Sequence, residues 1–136
     1  MKSNHWITLG AALAALAIGM GAFGAHALRS RLIPGGTATA ESLRQLEVFE
    51  TAARYQMYHA LALVLVGLMA QRRHSTALQA AGGLFAVGVV LFCGSLYALV
   101  LTGIKLLGAI TPLGGVAFIL GWLMLAVAAR QKNDER

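Results

Sequence analysis

The chain has 136 residues, 58% of them hydrophobic and 12% charged, with a mean hydropathy of +0.71. A soluble domain carries roughly 25% charged residues, so the composition excludes an ordinary soluble globule and points to a surface that faces lipid. The net charge of +6 raises nucleic acid as a partner. The basic residues, however, sit mostly in short flanks between apolar runs: Lys2, Arg29, Arg31, Arg72, Arg73, Lys105, Arg130, Lys132 and Arg136. There they anchor helices at anionic headgroups, and no nucleic-acid partner is expected.

Four apolar runs cover residues 6–28, 55–70, 77–101 and 110–129. A helix needs about 20 residues to cross a bilayer core at 1.5 Å per residue. Three runs meet that length, and the second meets it with help from its flanks. The expectation is an all-α fold, a four-helix transmembrane bundle, with the whole chain forming one integral membrane domain.

In the first run, Lys2 and Ala25-His26-Ala27 have the form of a signal peptide with its cleavage site. The apolar stretch exceeds 20 residues, against about 7–15 for a signal core, so a retained helix ending near Leu28 is expected, closed by Arg29-Ser30-Arg31. Gly19-Met20-Gly21-Ala22-Phe23-Gly24 spells GxGxxG. The dinucleotide fingerprint needs a preceding strand, which an apolar helix does not supply. Close helix packing is the better reading, as for the small-xxx-small pairs Gly10/Ala14, Gly94/Ala98 and Ala117/Gly121.

Pro34-Gly35-Gly36 marks a turn. Thr39 then serves as an N-cap, with Glu41 in the first turn. Leu43, Leu46, Phe49 and Ala53 recur at helical spacing, while Arg44, Glu47, Glu50 and Arg54 take other faces. This predicts an amphipathic helical segment between the first two spanning helices, lying at the membrane surface or over the bundle mouth, with Glu50 and Arg54 as an i,i+4 pair. No breaker separates it from the second run. Gln71–Ser75 is a polar connection, Cys93 is a buried small hydrophobe, and Thr111-Pro112 starts the last helix.

Four spans place both termini on one side. That side holds six basic residues and the other five, a weak bias toward termini in the cytoplasm of a cell inner (plasma) membrane. Antiparallel pairing of the first two helices sets His26 and His59 at similar depth. Tyr55 and His59 share a face, with Tyr58 beside them, and Ser95 and Tyr97 lie in the matching half of the third run. The opposite half reads as nearly free of polar side chains. The candidate polar site is therefore His26, Glu50, Arg54, Tyr55, Tyr58, His59, Ser95 and Tyr97.

Polar groups within a span mark function often enough to be the default hypothesis. The structural alternative is a hydrogen-bond network joining helices, with tyrosines as interface anchors. Two histidines with no neighbouring carboxylate or thiolate make a poor metal site, so neither metal nor cofactor is expected, and no catalytic residues are assigned. No Asp or Glu lies in any of the four runs, which weakens a proton-coupled carrier.

Gly21-Ala22-Phe23-Gly24-Ala25-His26, Phe49-Glu50-Thr51-Ala52, Tyr55-Gln56-Met57-Tyr58-His59-Ala60-Leu61, Gly94-Ser95-Leu96-Tyr97 and Ile110–Gly115 resemble a small membrane family of unknown function. It includes bacterial inner-membrane proteins called YgdD and YwdK and the animal transmembrane protein 256. The resemblance covers essentially the whole chain and implies a four-helix membrane protein. It supplies no catalytic residues. The leading expectation is a small scaffold or accessory protein acting through helix contacts, with the lipid bilayer and a membrane-protein partner or second copy around it. The alternative is a transporter or binder of a small or lipidic molecule at the polar end. An enzyme is the weakest reading.

Overall fold

The computed structural model describes residues 2–130. The charged tail Gln131–Arg136, with Lys132 and Arg136, and the Lys2 side chain lie outside the described residues. Four long helical rods make up the fold. The first, α1, runs through Lys2–Phe23, a π-helical turn Gly24–Leu28, and Arg29–Leu32. It does not stop near Leu28, because nothing before Pro34 breaks a helix. Ile33 leaves the helical region at φ −126°, ψ 64°; the proline after it disfavours helical geometry at this position.

The second rod, α2, is Ala40–Ala70, 31 residues. The amphipathic segment and the second apolar run are one uninterrupted helix. Its start is the expected Thr39, in a reciprocal cap: the Ser42 amide donates to Thr39 Oγ1 at 3.1 Å, and the Thr39 amide donates to Ser42 Oγ at 2.9 Å. The third, α3, comprises Thr76–Gly88, a π-helical turn Val89–Gly94 and Ser95–Thr102. Gly103 ends it in the left-handed region at φ +73°, where a side chain would be strained. After a 3₁₀ turn over Lys105–Ala109, α4 is Thr111–Arg130.

By length and composition, Asn4–Leu32, Thr76–Thr102 and Lys105–Arg130 can cross a membrane. The 31-residue α2 is not in that group: the polar residues Arg54, Tyr55, Gln56, Tyr58 and His59 precede its apolar C-terminal stretch.

The rods pack as two antiparallel hairpins, α1 on α2 and α3 on α4, joined where α2 lies against α3. Small residues set the register. A Cβ on Gly10 would come 2.6 Å from the Ala60 carbonyl oxygen, and one on Gly121 would come 2.7 Å from the Phe85 ring. At Gly114 the obstacle is the Phe92 backbone. Phe49, Leu63, Val66, Leu78, Phe85 and Cys93 fill the shared interior. The packing reading of the small-residue pairs therefore holds at Gly10 and Gly121 but not everywhere. A Cβ at Gly19, Gly21 or Gly94 would meet nothing within 4 Å.

Among described α1 residues with a resolved burial, only Gly10, Ala17 and Leu28 are buried. α1 is the peripheral rod, covered by α2 along one flank.

Candidate functional site

The interior polar groups form separate bridges between helices rather than one cluster. Gln56, on α2, is 2% exposed. Its Nε2 donates to the Leu13 carbonyl of α1 at 2.9 Å, and its Oε1 accepts from the Tyr97 hydroxyl of α3 at 2.9 Å. One amide thus ties three rods together. The Tyr97 ring also packs on Phe49, with centroids 4.9 Å apart. Bonds between helices in lipid contribute about 0.6 kcal/mol on average and up to about 2.

The second bridge centres on His59, also buried in α2. Its Nδ1 lies 2.7 Å from the Tyr55 carbonyl, and Trp122 Nε1 reaches Nε2 from α4 at 3.2 Å. Indole N–H only donates, so Nε2 is the acceptor and Nδ1 carries the proton. The imidazole lies flat on Phe118, with centroids 3.4 Å apart at 7°. Phe85 and Trp122 close on it edgewise or at a tilt. Tyr55 stacks on both His59 and Phe92, and the exposed Tyr58 packs against Tyr55. Nearer the α3–α4 connection, Ser95 Oγ donates to the Phe92 carbonyl at 3.0 Å and lies 2.7 Å from Thr111 Oγ1. With its single proton used, Ser95 accepts from Thr111.

Every buried side-chain nitrogen or oxygen among the described residues has a hydrogen-bond partner. Among the same residues no three His, Cys, Asp or Glu side chains come together.

Of the expected site residues, Tyr55, Tyr58, His59, Ser95 and Tyr97 take part in these contacts. His26 does not. Gly10 and Leu13 are the α1 residues at the level of His59, which leaves His26 about 20 Å farther along the rod at 1.5 Å per residue. Its side chain is exposed. Equal depth would follow if α2 began near Tyr55; because α2 begins at Ala40, His59 sits about five turns in.

Glu50 and Arg54 do pair, at 3.1 Å, but with side chains 71% and 50% exposed. Glu41 makes a second exposed pair with Arg44 at 3.0 Å. The bond from Arg44, then that from Gln45, holds the Glu41 carboxyl below its ordinary range. This part of α2 continues the rod beside the C-terminal end of α3, where Glu41, Arg44 and Val48 share a small cavity with Leu99, Gly103 and Lys105. The short-loop end is not apolar: Trp6 Nε1 donates to Gln79 Oε1 at 2.9 Å, and Gln71 to Asn4 at 3.3 Å.

Outside the bundle, a hollow of about 360 Å³ lies along the α1–α2 seam, lined by Gly21, Gly24, Ala25, Arg29, Leu46, Phe49 and Glu50. It coincides with the π-helical turn of α1, a feature frequent at functional sites.

Compared with known families, residues 20–115 match the one described as "Protein of unknown function (DUF423)". The chain belongs to the DUF423 family. Among its relatives, the UPF0382 membrane protein YwdK of Bacillus subtilis is 49% identical over 125 residues, 91% of this chain and 94% of the relative. The UPF0382 membrane protein SAB0533 of Staphylococcus aureus is 48% identical over 123 residues, 90% of this chain and 93% of the relative. No solved structure matches. Relatives named as membrane proteins, together with long apolar helices, make this DUF423 chain a membrane protein. The DUF423 match takes in Gln56, His59, Ser95, Tyr97 and the seam hollow, and stops before Phe118 and Trp122.

Proposed function

We propose that the chain is a membrane accessory or scaffold protein that acts through the uncovered face of α1. One observation carries this reading. Thr8, Ala11, Ala15, Gly19 and Ala22 recur at helical spacing and are all exposed, and a Cβ on Gly19 would meet no atom within 4 Å. Small residues let two helices approach closely in lipid, where packing rather than hydrophobic exclusion drives association. The occupant is a transmembrane helix of another membrane protein or of a second copy.

All four rods cross the inner membrane in this reading. The C-terminal half of α2, from Tyr55 to Ala70, forms the fourth crossing inside the bundle, where its polar groups find partners, and both termini lie in the cytoplasm. Reporter fusions after Arg130 and within residues 33–40 test the topology, with opposite compartments expected; the same compartment for both would sink it. For the function, the measurement is co-purification from native membranes in mild detergent. Gly19→Leu should remove the associated protein while leaving the melting temperature unchanged. Retention of the same partner by that variant would refute the reading.

Transport through the interior is the weaker alternative. Gln56, His59, Ser95 and Tyr97 each make a hydrogen bond to a neighbouring helix, and His59 and Ser95 each make a second within their own, which favours a structural role. Binding of a lipidic molecule is better supported at the outer seam than inside the bundle.

A further inference from the structure

The seam hollow has a volume of about 360 Å³, within the roughly 300–1,000 Å³ range of ligand sites. On the α1 side it is shaped by Gly21, Gly24 and Ala25, and Phe49 lines the α2 side. A Cβ on Gly21 would meet nothing within 4 Å, so packing within the chain does not require the missing side chain there.

Two opposite charges line the hollow, Arg29 from α1 and Glu50 from α2. The Arg29 guanidinium has no hydrogen bond or ion pair among the described residues. Glu50 gives Oε1 to Arg54 and leaves Oε2 for another donor. A cation and a carboxylate beside one apolar slot complement a molecule that carries a phosphate and an ammonium beside an acyl chain. The depth agrees. Arg29 and Arg31 lie in the last turn of α1, and Tyr55 and Tyr58, 38% and 51% exposed, follow Glu50 toward the bilayer centre as an interfacial aromatic belt.

We propose that this hollow binds an amine-headed zwitterionic phospholipid. Arg29 takes its phosphate, Glu50 takes its ammonium, and the upper acyl chain lies over Gly21 and Ala25. Arginine suits a phosphate because its donors form a planar fork. The hollow shares no lining residue with the contact stripe Thr8, Ala11, Ala15, Gly19 and Ala22, so either assignment can fail without the other.

Native mass spectrometry of the full chain in detergent, titrated with phosphatidylethanolamine and with phosphatidylglycerol, tests it. Charge-assisted hydrogen bonds contribute enough for about a tenfold preference each. The wild type should hold phosphatidylethanolamine about tenfold over phosphatidylglycerol. Arg29→Gln should weaken both lipids, Glu50→Gln should bring the two to parity, and Gly21→Leu should displace both at an unchanged melting temperature. Arg130→Gln, at the other end of the bundle, should leave the ratio alone. Equal retention of the two lipids by the wild type, unchanged binding by Arg29→Gln, or an equal loss in Arg130→Gln would overturn the proposal.

Discussion

Trp122 donates its indole N–H to His59 Nε2 at 3.2 Å, while His59 Nδ1 lies 2.7 Å from the Tyr55 carbonyl. Both imidazole nitrogens are committed, one in each direction, which holds His59 as a neutral ring with its proton on Nδ1. Nitrogen-15 spectra of the labelled protein in detergent should show one protonated Nδ1 and one unprotonated Nε2 for this residue. The opposite tautomer, or fast exchange between the two, would contradict the geometry.

Gln56 links the hairpins, so its loss should couple to Tyr97. Gln56→Leu should lower detergent-solubilised stability by roughly 1–2 kcal/mol and Tyr97→Phe by about 1. The double variant should cost less than the sum, because both remove the same bond. Additive effects would mean that the two side chains do not share a bond in the folded protein.

Glycines with and without neighbours should respond in opposite ways. Gly114→Ala pushes a methyl into the Phe92 backbone, which cannot rotate away, and should cost about 1–3 kcal/mol as overpacking. Gly19→Ala meets open space and should be neutral or stabilising by up to about 1 kcal/mol through helix propensity. Thermal melts of the two variants side by side decide this; similar losses in both would mean that the α3–α4 contact is looser than described.

The Glu50–Arg54 pair should contribute little to stability. With side chains half or more exposed, such a pair adds under about 1 kcal/mol. Glu50→Gln, Arg54→Gln and the double variant should all melt within about four degrees of the wild type. A clear loss in either single variant, recovered in the double, would restore the pair as a structural clamp.

Much of this arrangement is legible in the sequence. Thr39 reads as a cap, Thr111-Pro112 as a helix start, and Tyr55 with His59 as one face, because each rests on local geometry. The bridges are less legible. Gln56 is one residue from Tyr55, yet it turns toward α1 and α3 while His59 turns toward α4. Spacing gives a face but not the neighbour. An amide inside an otherwise apolar helix was the signal that could have singled it out, since such a group needs a partner in lipid. Phe118 and Trp122 sit in a run that is apolar all round, with no periodicity to mark an inner face. The π-helical turns at Gly24–Leu28 and Val89–Gly94 add a residue per turn without a compositional trace. The misplacement of His26 followed from dividing α2 at the point where its polarity changes rather than at its cap.

The central claim is that association runs through the small-residue face of α1 while the polar interior is structural. Photo-cross-linking in native membranes tests it, with Cys93 replaced by Ala and a single cysteine, labelled with benzophenone maleimide, placed at Ala11 or at Leu61. These two positions lie at the same depth, since Gly10 packs against Ala60, and both are exposed. Ala11→Cys should give a cross-linked species that Gly19→Leu abolishes, and Leu61→Cys should give none. Equal cross-linking from both positions, or from Leu61 alone, would contradict the account.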